Sequence, residues 1–342
     1  MNVVPVPASR HYEVKIGRGL LQTLGAEAAR ISSGQVLVVS DSNVAPRYLD
    51  AAVASLREAQ LRVCTLVLPA GETSKNLEHY SRLLLTLARE GFTRADAVVA
   101  LGGGVVGDLA GFAASTYLRG IAVIQVPTTL LSMVDSSVGG KTAIDLPMGK
   151  NLVGTFHQPA LVLCDIATLD TLPEAVFLDG CAEVIKTAIL FDRPLFDHLK
   201  AHGPAFDREL VISRCVKWKR DTVCADEFDT GERQKLNLGH TVGHAIEACS
   251  GFSLSHGRAV SIGTAIVSRA LCPEAEEICA LLRAFGLPVH TEFSPEELAT
   301  RALSDKKRAG DCLTLVVPQA IGTCVLKKIP VGTLAELIKA GL

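Results

Sequence analysis

The sequence predicts an α/β N-terminal domain with a mostly parallel sheet, followed by a mainly α-helical domain. Three observations support this prediction. Apolar runs alternate with amphipathic stretches up to about residue 172, a glycine-rich segment at 101–108 follows one such run, and the later part has mostly helical periodicity with paired histidines. We therefore expect a nucleotide-binding domain at 1–172 and a metal- and substrate-binding domain at 173–342.

Composition limits the classes of partner. The chain has 342 residues, of which 48% are hydrophobic and 5% aromatic, and this suits a large aliphatic core. The formal net charge of −2 leaves no broad positive field to attract nucleic acid or an anionic membrane. We therefore expect a small-molecule ligand, neither nucleic acid nor a membrane as partner, and local cations for any anionic substrate.

Cysteine usage and the N-terminus indicate the compartment. The ten cysteines form no C-x-x-C pair and mostly lie in apolar runs, as expected for buried reduced thiols. The first residues do not resemble a signal peptide, and no apolar run reaches the ~20 residues that a membrane span needs. The expected location is the cytoplasm.

The elements of the first domain follow in order from its apolar runs. Runs rich in Val, Leu, Ile and Ala are typical of buried strands at 35–40, 61–68, 97–101, 121–126 and 161–164. Stretches with helical spacing lie between them at 46–60, 78–90 and 105–117. Strands that alternate with helices favour a parallel sheet with helices on both faces.

The pattern changes at Pro173, which together with Glu174 is typical of a helix start. The periodicity then predicts helices at 174–191, 194–202, 207–225, 234–249, 256–272, 274–285 and 295–303. Two short runs predict a hairpin at 313–318 and 323–327, and a last helix follows at 331–340. We therefore place the domain boundary at about residue 172.

The glycine-rich segment is a candidate nucleotide site. Its glycines Gly102, Gly103, Gly104 and Gly107 satisfy the pattern G-x-G-x-x-G between a predicted strand and a predicted helix, where backbone N–H groups can meet a pyrophosphate. The pattern alone is weak, because glycine triplets also form ordinary turns. The usual acidic residue about 20 positions downstream is missing. Asp41, at the end of an earlier strand, is therefore the better candidate for the ribose.

A candidate metal site lies in the second half. His240 and His244 are four residues apart and share a helix face, a spacing that suits two zinc ligands. Glu183 lies on an otherwise apolar helix, and His256 begins another helix. Any three of these four side chains could bind the metal, and the residues alone do not choose among them. The alternative is a pair of helix histidines whose hydrogen bonds are purely structural.

Cationic side chains gather in the second half and just before it: Lys141, Lys150, Lys186, Lys219, Arg233, Lys306 and Lys307. A single charge on a helix is usually solvated, so one such residue is weak support for a site. Lys186 is a stronger candidate for a site residue, because it lies one helical turn after Glu183 and shares its helix face. Convergent cations suit a dianionic, polyhydroxylated substrate.

Four ungapped segments resemble the 3-dehydroquinate synthase family of the sugar phosphate cyclase superfamily: 102–120, 125–142, 182–186 and 236–247. The resemblance extends over about residues 12–330. It implies the two-domain fold of that family, which more distant glycerol-dehydrogenase-like enzymes share. It also implies a homodimer that uses NAD and a divalent metal, zinc or cobalt.

The resemblance assigns roles to individual residues. The metal ligands would be Glu183, His240 and His256, while His244 would bind substrate. The other substrate residues would be Asp135, Lys141, Asn151, Lys186, Lys219, Arg233, Asn237 and one of Lys306 and Lys307. Arg119 would reach into the neighbouring subunit of the dimer. The NAD-binding residues would be Asp41, Glu72, Lys75, Gly103, Gly104, Val105, Asp108, Thr128, Thr129, Lys150, Thr168 and Thr171.

By the same resemblance, the expected activity converts 3-deoxy-D-arabino-heptulosonate 7-phosphate to 3-dehydroquinate and phosphate, a lyase step of the shikimate pathway to aromatic amino acids. The family's reaction oxidises a metal-held hydroxyl transiently with NAD, eliminates phosphate, reduces the ketone again and closes the ring by an intramolecular aldol step. The chain departs from common family residues at Thr187, Arg258 and Thr264, none of which is an expected ligand.

Three other functions compete with this one. A sister cyclase would act on another sugar phosphate, and the departures from the family pattern slightly favour it. A metal-dependent polyol dehydrogenase would share the fold but would not need so many cations near its substrate. A non-catalytic module with structural zinc is the third, although structural zinc sites favour four closed ligands, often thiolates.

Overall fold

A computed structural model describes residues 1–303, 308–309 and 311–342, with the backbone alone at 308 and 309. The strands are β1 (Asn2–Pro7), β2 (His11–Gly17), β3 (Gln35–Asp41), β4 (Arg62–Leu68), β5 (Ala97–Gly102), β6 (Ala122–Pro127), β7 (Lys141–Leu146), β8 (Gly149–Phe156), β9 (Leu161–Asp165), β10 (Arg308–Ala309), β11 (Cys312–Ala320) and β12 (Thr323–Pro330). The α-helices are α1 (Leu24–Ala28), α2 (Ala45–Glu58), α3 (Leu77–Arg89), α4 (Gly104–Thr116), α5 (Glu174–Phe191), α6 (Arg193–His202), α7 (Arg208–Ala225), α8 (His240–Cys249), α9 (His256–Leu271), α10 (Ala275–Ala284), α11 (Pro295–Leu303) and α12 (Leu334–Gly341). Among the described residues, no helix has the length and apolarity that crossing a membrane requires.

Seven strands form one sheet in the order β1-β2-β9-β6-β5-β3-β4. The neighbouring pairs from β2 to β4 are parallel, and β1 joins antiparallel at one edge. The predicted mostly parallel sheet is therefore confirmed. The five predicted strands and three predicted helices of this region correspond to β3–β6, β9 and α2–α4, and their ends differ from the predicted ends by only one or two residues.

Alternate side chains of the central strands point to opposite faces of the sheet. Leu37 and Val39 of β3 pack in a buried cluster with α3 and α4, whereas Val36 and Val38 pack in a second cluster with α1 and α2. All four side chains are fully buried. Helices thus cover both faces, which explains why the sequence of this strand is a continuous apolar run.

Two antiparallel hairpins, β1–β2 and β7–β8, are not predicted from the sequence. In β1 the buried residues Val4 and Val6 alternate with exposed ones, but prolines break the apolar pattern that marks a strand. In β7 the buried Ile144 packs in the cluster of α3 and α4, although the glycines and lysine before it resemble a loop. The β7–β8 hairpin matters because it carries three of the predicted site residues.

The chain divides into two compact units, 1–172 with 208–228, and 173–207 with 229–342. Helix α7 therefore belongs to the first unit, which differs from the predicted single boundary at residue 172. Side chains at both ends of its segment bond within that unit: Asn2 Nδ2 donates to Glu209 Oε1, and Gln158 Nε2 donates to Glu227 Oε1, each at 2.8 Å. Helical periodicity shows that a helix has an apolar face but not which neighbour it packs on, so the sequence does not reveal that α7 belongs to the first unit.

The second unit contains α5, α6, α8–α12 and the antiparallel hairpin β11–β12. The expected helix at 234–249 is broken, because a 3-10 turn at Glu232–Asn237 is followed by Gly239, whose φ of 75° lies in the left-handed region. Helix α8 therefore begins at His240. A Cβ on Gly263 of α9 would lie 2.1 Å from the Gly239 carbonyl oxygen. The start of α8 and the middle of α9 thus touch through their backbones.

We predict that Gly263→Ala destabilises the protein by about 1–3 kcal/mol, because the added methyl group does not fit at this contact. The measurement is the free energy of unfolding of the metal-free protein in urea. Gly332→Ala is the matched control, since a Cβ there has no heavy atom within 4 Å. The control should change stability by less than about 0.5 kcal/mol, and equal effects of the two substitutions would contradict the close contact.

Candidate active site

The glycine turn between β5 and α4 has the predicted form. Gly102 ends the strand, Gly103 has an extended conformation, and α4 begins at Gly104 without a side-chain cap. A Cβ on Gly103 would lie 3.2 Å from Thr129 Cγ2, so glycine permits a close approach of these segments. Thr128 N donates to Gly102 O at 3.0 Å. The N-terminus of α4 and the two threonines therefore lie together, and a helix N-terminus favours a pyrophosphate.

Lys75 connects three parts of the first unit. Its Nζ donates to Asp108 Oδ2 on α4 and to Asn151 Oδ1 on β8, each at 2.5 Å. Burial alone would lower the pKa of Lys75, but the charge of Asp108 raises it above the ordinary value. Asp145 N of the β7–β8 hairpin donates to Lys75 O at 2.8 Å. Two predicted NAD residues and one predicted substrate residue thus form a single cluster.

Asp41, the predicted ribose partner, already has a role in the fold. Its Oδ1 accepts hydrogen bonds from Asn43 N at 2.8 Å and from Val44 N at 3.1 Å, just before α2. One carboxylate oxygen therefore stabilises the turn after β3. A ribose contact would use the second oxygen.

The remaining predicted NAD residues are spread over the first unit. Thr168 and Thr171 belong to the segment that follows β9. Glu72 lies in a 3-10 turn after β4, and burial raises its pKa above the ordinary value. Val105 lies in the first turn of α4, and Lys150 lies in β8. All five belong to the unit that also carries the glycine turn.

Glu183, His240 and His256 converge in the second unit as three candidate metal ligands. Glu183 Oε1 lies 3.7 Å from His240 Nε2 and 3.6 Å from His256 Nε2. Ligands about 2.1 Å from a tetrahedral zinc ion lie roughly 3.4 Å apart, so both distances from Glu183 suit a metal after a small contraction, and all three ligand atoms lie within 4.8 Å of one another. Three protein ligands leave a fourth position for a substrate oxygen, as catalytic zinc sites do.

The Glu183 carboxylate is deeply buried and needs positive charge beside it. Its side chain is 2% exposed, and it forms an ion pair with Lys186 from the next turn of α5. The two residues therefore share a helix face, as their spacing predicts. A buried carboxylate is costly without a cation, and an ammonium group or a metal ion meets that need.

Each candidate ligand histidine is held at its second ring nitrogen. His240 Nδ1 lies 3.0 Å from Leu238 O, and His256 Nδ1 lies 3.4 Å from Glu247 Oε2. Such partners fix the orientation of the ring and leave Nε2 for a metal. Burial alone would lower the pKa of His256, but Glu183 and Glu247 raise it to about 10. A metal at this ring would therefore compete with a proton.

Glu247 is a site residue that the sequence motifs did not reveal. It is 4% exposed and lies on α8, two turns after His240 and on the same helix face. The spacing of seven residues from His240 could have indicated Glu247 from the sequence, because a carboxylate on the buried face of a helix is almost always paired. Its carboxylate is also close to His244 and His256, with which it forms a second group of potential ligand atoms.

His244 lies near the other two imidazoles but not in the first ligand group. Its ring centroid is 5.3 Å from that of His240 and 6.0 Å from that of His256. The Nε2 atoms of His240 and His256 both face the Glu183 carboxylate. The geometry thus favours Glu183 as the third ligand, and the substrate role of His244 stays a prediction.

Four predicted substrate residues and Arg119 lie in the first unit. Lys219 of α7 pairs with Asp135, with Nζ 2.5 Å from Oδ1. Lys141 and Asn151 are exposed on the β7–β8 hairpin. Arg119 is exposed in the turn that follows α4. Lys219 thus belongs to the unit with the sheet and not to the mainly helical one.

The other predicted substrate residues belong to the second unit. Arg233 is 1% exposed, although it carries a charge. Asn237 Nδ2 donates to Gln234 O at 3.1 Å within the 3-10 turn before α8. Lys306 and Lys307 lie outside the described residues.

Comparisons with known proteins identify the family. The family model for the 3-dehydroquinate synthase N-terminal region matches residues 65–179, and the model for the C-terminal region matches residues 180–308. The 3-dehydroquinate synthase of Latilactobacillus sakei subsp. sakei (strain 23K) is 41% identical over 341 residues, with 97% of this chain and 96% of the relative covered. That of Xylella fastidiosa (strain 9a5c) is 45% identical over 340 residues, with 91% and 85% covered.

The chain belongs to the 3-dehydroquinate synthase family. It is therefore an enzyme, and the family resemblance inferred from the sequence is confirmed.

Solved structures agree with the fold. A 2-deoxy-scyllo-inosose synthase complexed with carbaglucose-6-phosphate, NAD+ and Co2+ matches with a TM-score of 0.88 at 25% identity, with 100% of both chains covered. ValA, a 2-epi-5-epi-valiolone synthase from Streptomyces hygroscopicus subsp. jinggangensis 5008 with NAD+ and Zn2+ bound, has a TM-score of 0.88 at 28% identity, with 96% and 95% covered. The predicted fold class, a dehydroquinate synthase-like arrangement of sheet and helices, is confirmed.

We predict that Lys75→Met lowers the free energy of unfolding by about 2–4 kcal/mol, because it removes the ammonium partner of the Asp108 carboxylate. Urea titration of the ligand-free protein measures the loss. The double variant Lys75→Met/Asp108→Asn should recover part of it, since the uncompensated charge is gone. Strictly additive losses would argue against an energetic coupling of the two side chains.

Proposed function

We propose that the protein is a 3-dehydroquinate synthase, which converts 3-deoxy-D-arabino-heptulosonate 7-phosphate to 3-dehydroquinate and phosphate. The identity of 41% and 45% to curated relatives of that name, over nearly the whole chain, carries the proposal. The convergence of Glu183, His240 and His256 supports it, because the reaction needs a metal-held hydroxyl. The step would be a carbon–oxygen lyase reaction.

The proposed cofactors are NAD and a divalent metal, zinc or cobalt. The two solved cyclases contain NAD+ with Co2+ or Zn2+, and the residues of this chain fit both groups. When bound, the metal would polarise a substrate hydroxyl and the nicotinamide would exchange a hydride with its carbon. The glycine turn of the first unit would hold the pyrophosphate, and Glu183, His240 and His256 of the second unit would hold the metal.

The cationic side chains would bind the anionic groups of the substrate. Lys186 and Lys219 are mostly buried, and each lies against a carboxylate, that of Glu183 and of Asp135 respectively. These pairs hold the ammonium groups in place, which reduces the entropy lost when a phosphate binds. The planar guanidinium of Arg233 suits a carboxylate or phosphate in two-point contact.

The deciding assay measures phosphate release from 3-deoxy-D-arabino-heptulosonate 7-phosphate while the absorbance of NADH is followed. We expect phosphate release without net NADH, because the hydride returns to the molecule that supplied it. A chelator should abolish release and added zinc should restore it. Absence of phosphate with enzyme, NAD+, metal and substrate all present would remove the proposal.

The same assay separates the rival activities. A polyol dehydrogenase accumulates NADH in proportion to product, and the glycerol dehydrogenase of Schizosaccharomyces pombe, at 18% identity and a TM-score of 0.67, shares the fold alone. A sister cyclase would prefer a different sugar phosphate, and glucose 6-phosphate is a suitable competitor substrate. The identities of 25% and 28% to the solved sister cyclases are well below those to the curated synthases, so they favour the main proposal.

We also infer a homodimer in which Arg119 reaches into the neighbouring subunit. Leu118 and Arg119 have positive φ angles of 50° and 67°, a conformation that costs a non-glycine residue about 1–3 kcal/mol. Leu118 is 41% exposed. Strain in an exposed turn persists where a function demands it, which supports a subunit contact at this turn.

Mixed dimers test the role of Arg119. Arg119→Ala and Glu183→Ala should each be inactive alone. After subunit exchange at equal amounts, half of the dimers are hybrids with one complete site each, so about a quarter of wild-type activity should return. An arginine that acts within its own chain would give no recovery. Sedimentation velocity of the wild type should report a dimer.

The proposed setting is the cytoplasm, with a small sugar phosphate and not nucleic acid as the ligand. All ten cysteines are thiols, which suits a reducing compartment. The small net charge of −2 suits a ligand that local cations recognise.

A further inference from the structure

We propose that Glu247 is a positioning residue that holds the His256 ring so that its Nε2 atom faces the metal. The inference rests on the proposed metal site and extends it by a residue outside the ligand set. Glu247 Oε2 lies 3.4 Å from His256 Nδ1, while Glu183 Oε1 lies 3.6 Å from His256 Nε2. Each ring nitrogen thus faces one carboxylate: Nδ1 faces Glu247, and Nε2 faces Glu183 on the side where the metal would bind.

His256 needs such a partner more than His240 does. The side chain of His240 is 12% exposed and its Nδ1 is held by the main-chain oxygen of Leu238. The side chain of His256 is 32% exposed and lies at the first position of α9. The Glu247 carboxylate therefore holds Nδ1 of His256, as the Leu238 carbonyl oxygen holds Nδ1 of His240.

The backbone beneath His256 is already fixed, so rotation of its side chain is the freedom left to control. Asp179 Oδ1 accepts hydrogen bonds from Ser255 Oγ at 2.5 Å and from Arg258 N at 3.0 Å. A Cβ on Gly257 would lie 2.0 Å from the Asp179 carbonyl oxygen, so α9 starts in close contact with α5. Glu247 adds the restraint on the ring.

The chemistry of this arrangement is specific. An imidazole that donates Nδ1–H to a carboxylate has its lone pair on Nε2, and the carboxylate makes that nitrogen more basic. Glu247 is 4% exposed, so little water competes for the hydrogen bond. Loss of such a partner typically weakens metal binding by about 10–100-fold.

The test is the zinc affinity of the metal-free protein, measured by competition with a chelator and without NAD or substrate. Glu247→Ala should weaken zinc binding by about 10–100-fold. Glu247→Gln keeps the volume and an acceptor oxygen but loses the charge, so its loss should be smaller, at several-fold. The visible spectrum of the Co2+-loaded variants should differ from that of the wild type, because the ring orientation changes.

Asp192→Asn is the matched control. Asp192 is 3% exposed in the same unit and its Oδ1 accepts from Leu195 N at 2.9 Å at the start of α6. The control should lower the melting temperature without changing zinc affinity. If Glu247→Ala fails to fold, the folded Gln variant decides the question.

Two results would overturn the proposal. Wild-type zinc affinity in a folded Glu247→Gln variant would show that the carboxylate does not act on the ring. Binding of a second zinc that Glu247→Ala abolishes would instead make Glu247 a ligand, in the group with His244 and His256. Because zinc affinity is measured without turnover, a failed phosphate-release assay would count against the proposed activity and leave this result intact.

Discussion

The second unit is organised around one buried carboxylate. An ionised carboxylate taken out of water costs several kcal/mol unless positive charge stands beside it. Glu183 is stabilised by Lys186 on its own helix and faces two imidazoles, one from α8 and one from α9. A divalent metal would satisfy the same carboxylate more strongly. The positive charge that Glu183 needs in the interior could therefore also come from a metal ion, which makes its surroundings a candidate metal site.

Backbone contact between helices determines how close these groups come. Gly239, before α8, and Gly263, in α9, allow the two segments to touch without side chains between them. As a result the imidazoles of His240 and His256, the first residues of their helices, have centroids 5.2 Å apart. Packing thus sets the distance between the rings, and hydrogen bonds at their Nδ1 atoms set the orientation.

The parts of the protein that depend on local pattern could be predicted from the sequence. The buried strands, the start of α5 after Pro173 and the shared face of Glu183 and Lys186 all follow from periodicity and spacing. The choice of three ligands from four candidates came from family resemblance, since spacing alone does not distinguish His244 from the other candidate ligands. The Glu247–His256 contact and the packing of α7 could not be predicted, because they depend on how segments distant in sequence meet in space.

The membership of α7 in the first unit has a consequence for biosynthesis. The ribosome delivers residues 173–207 before 208–228, so the sheet-containing unit cannot finish folding when its first 172 residues have emerged. Until then Asp135 lacks Lys219 beside it, and the residues of β1 and β2 that contact α7 stay open to a chaperone or to a neighbouring nascent chain. A gene fragment that ends at codon 172 would encode the first unit without α7.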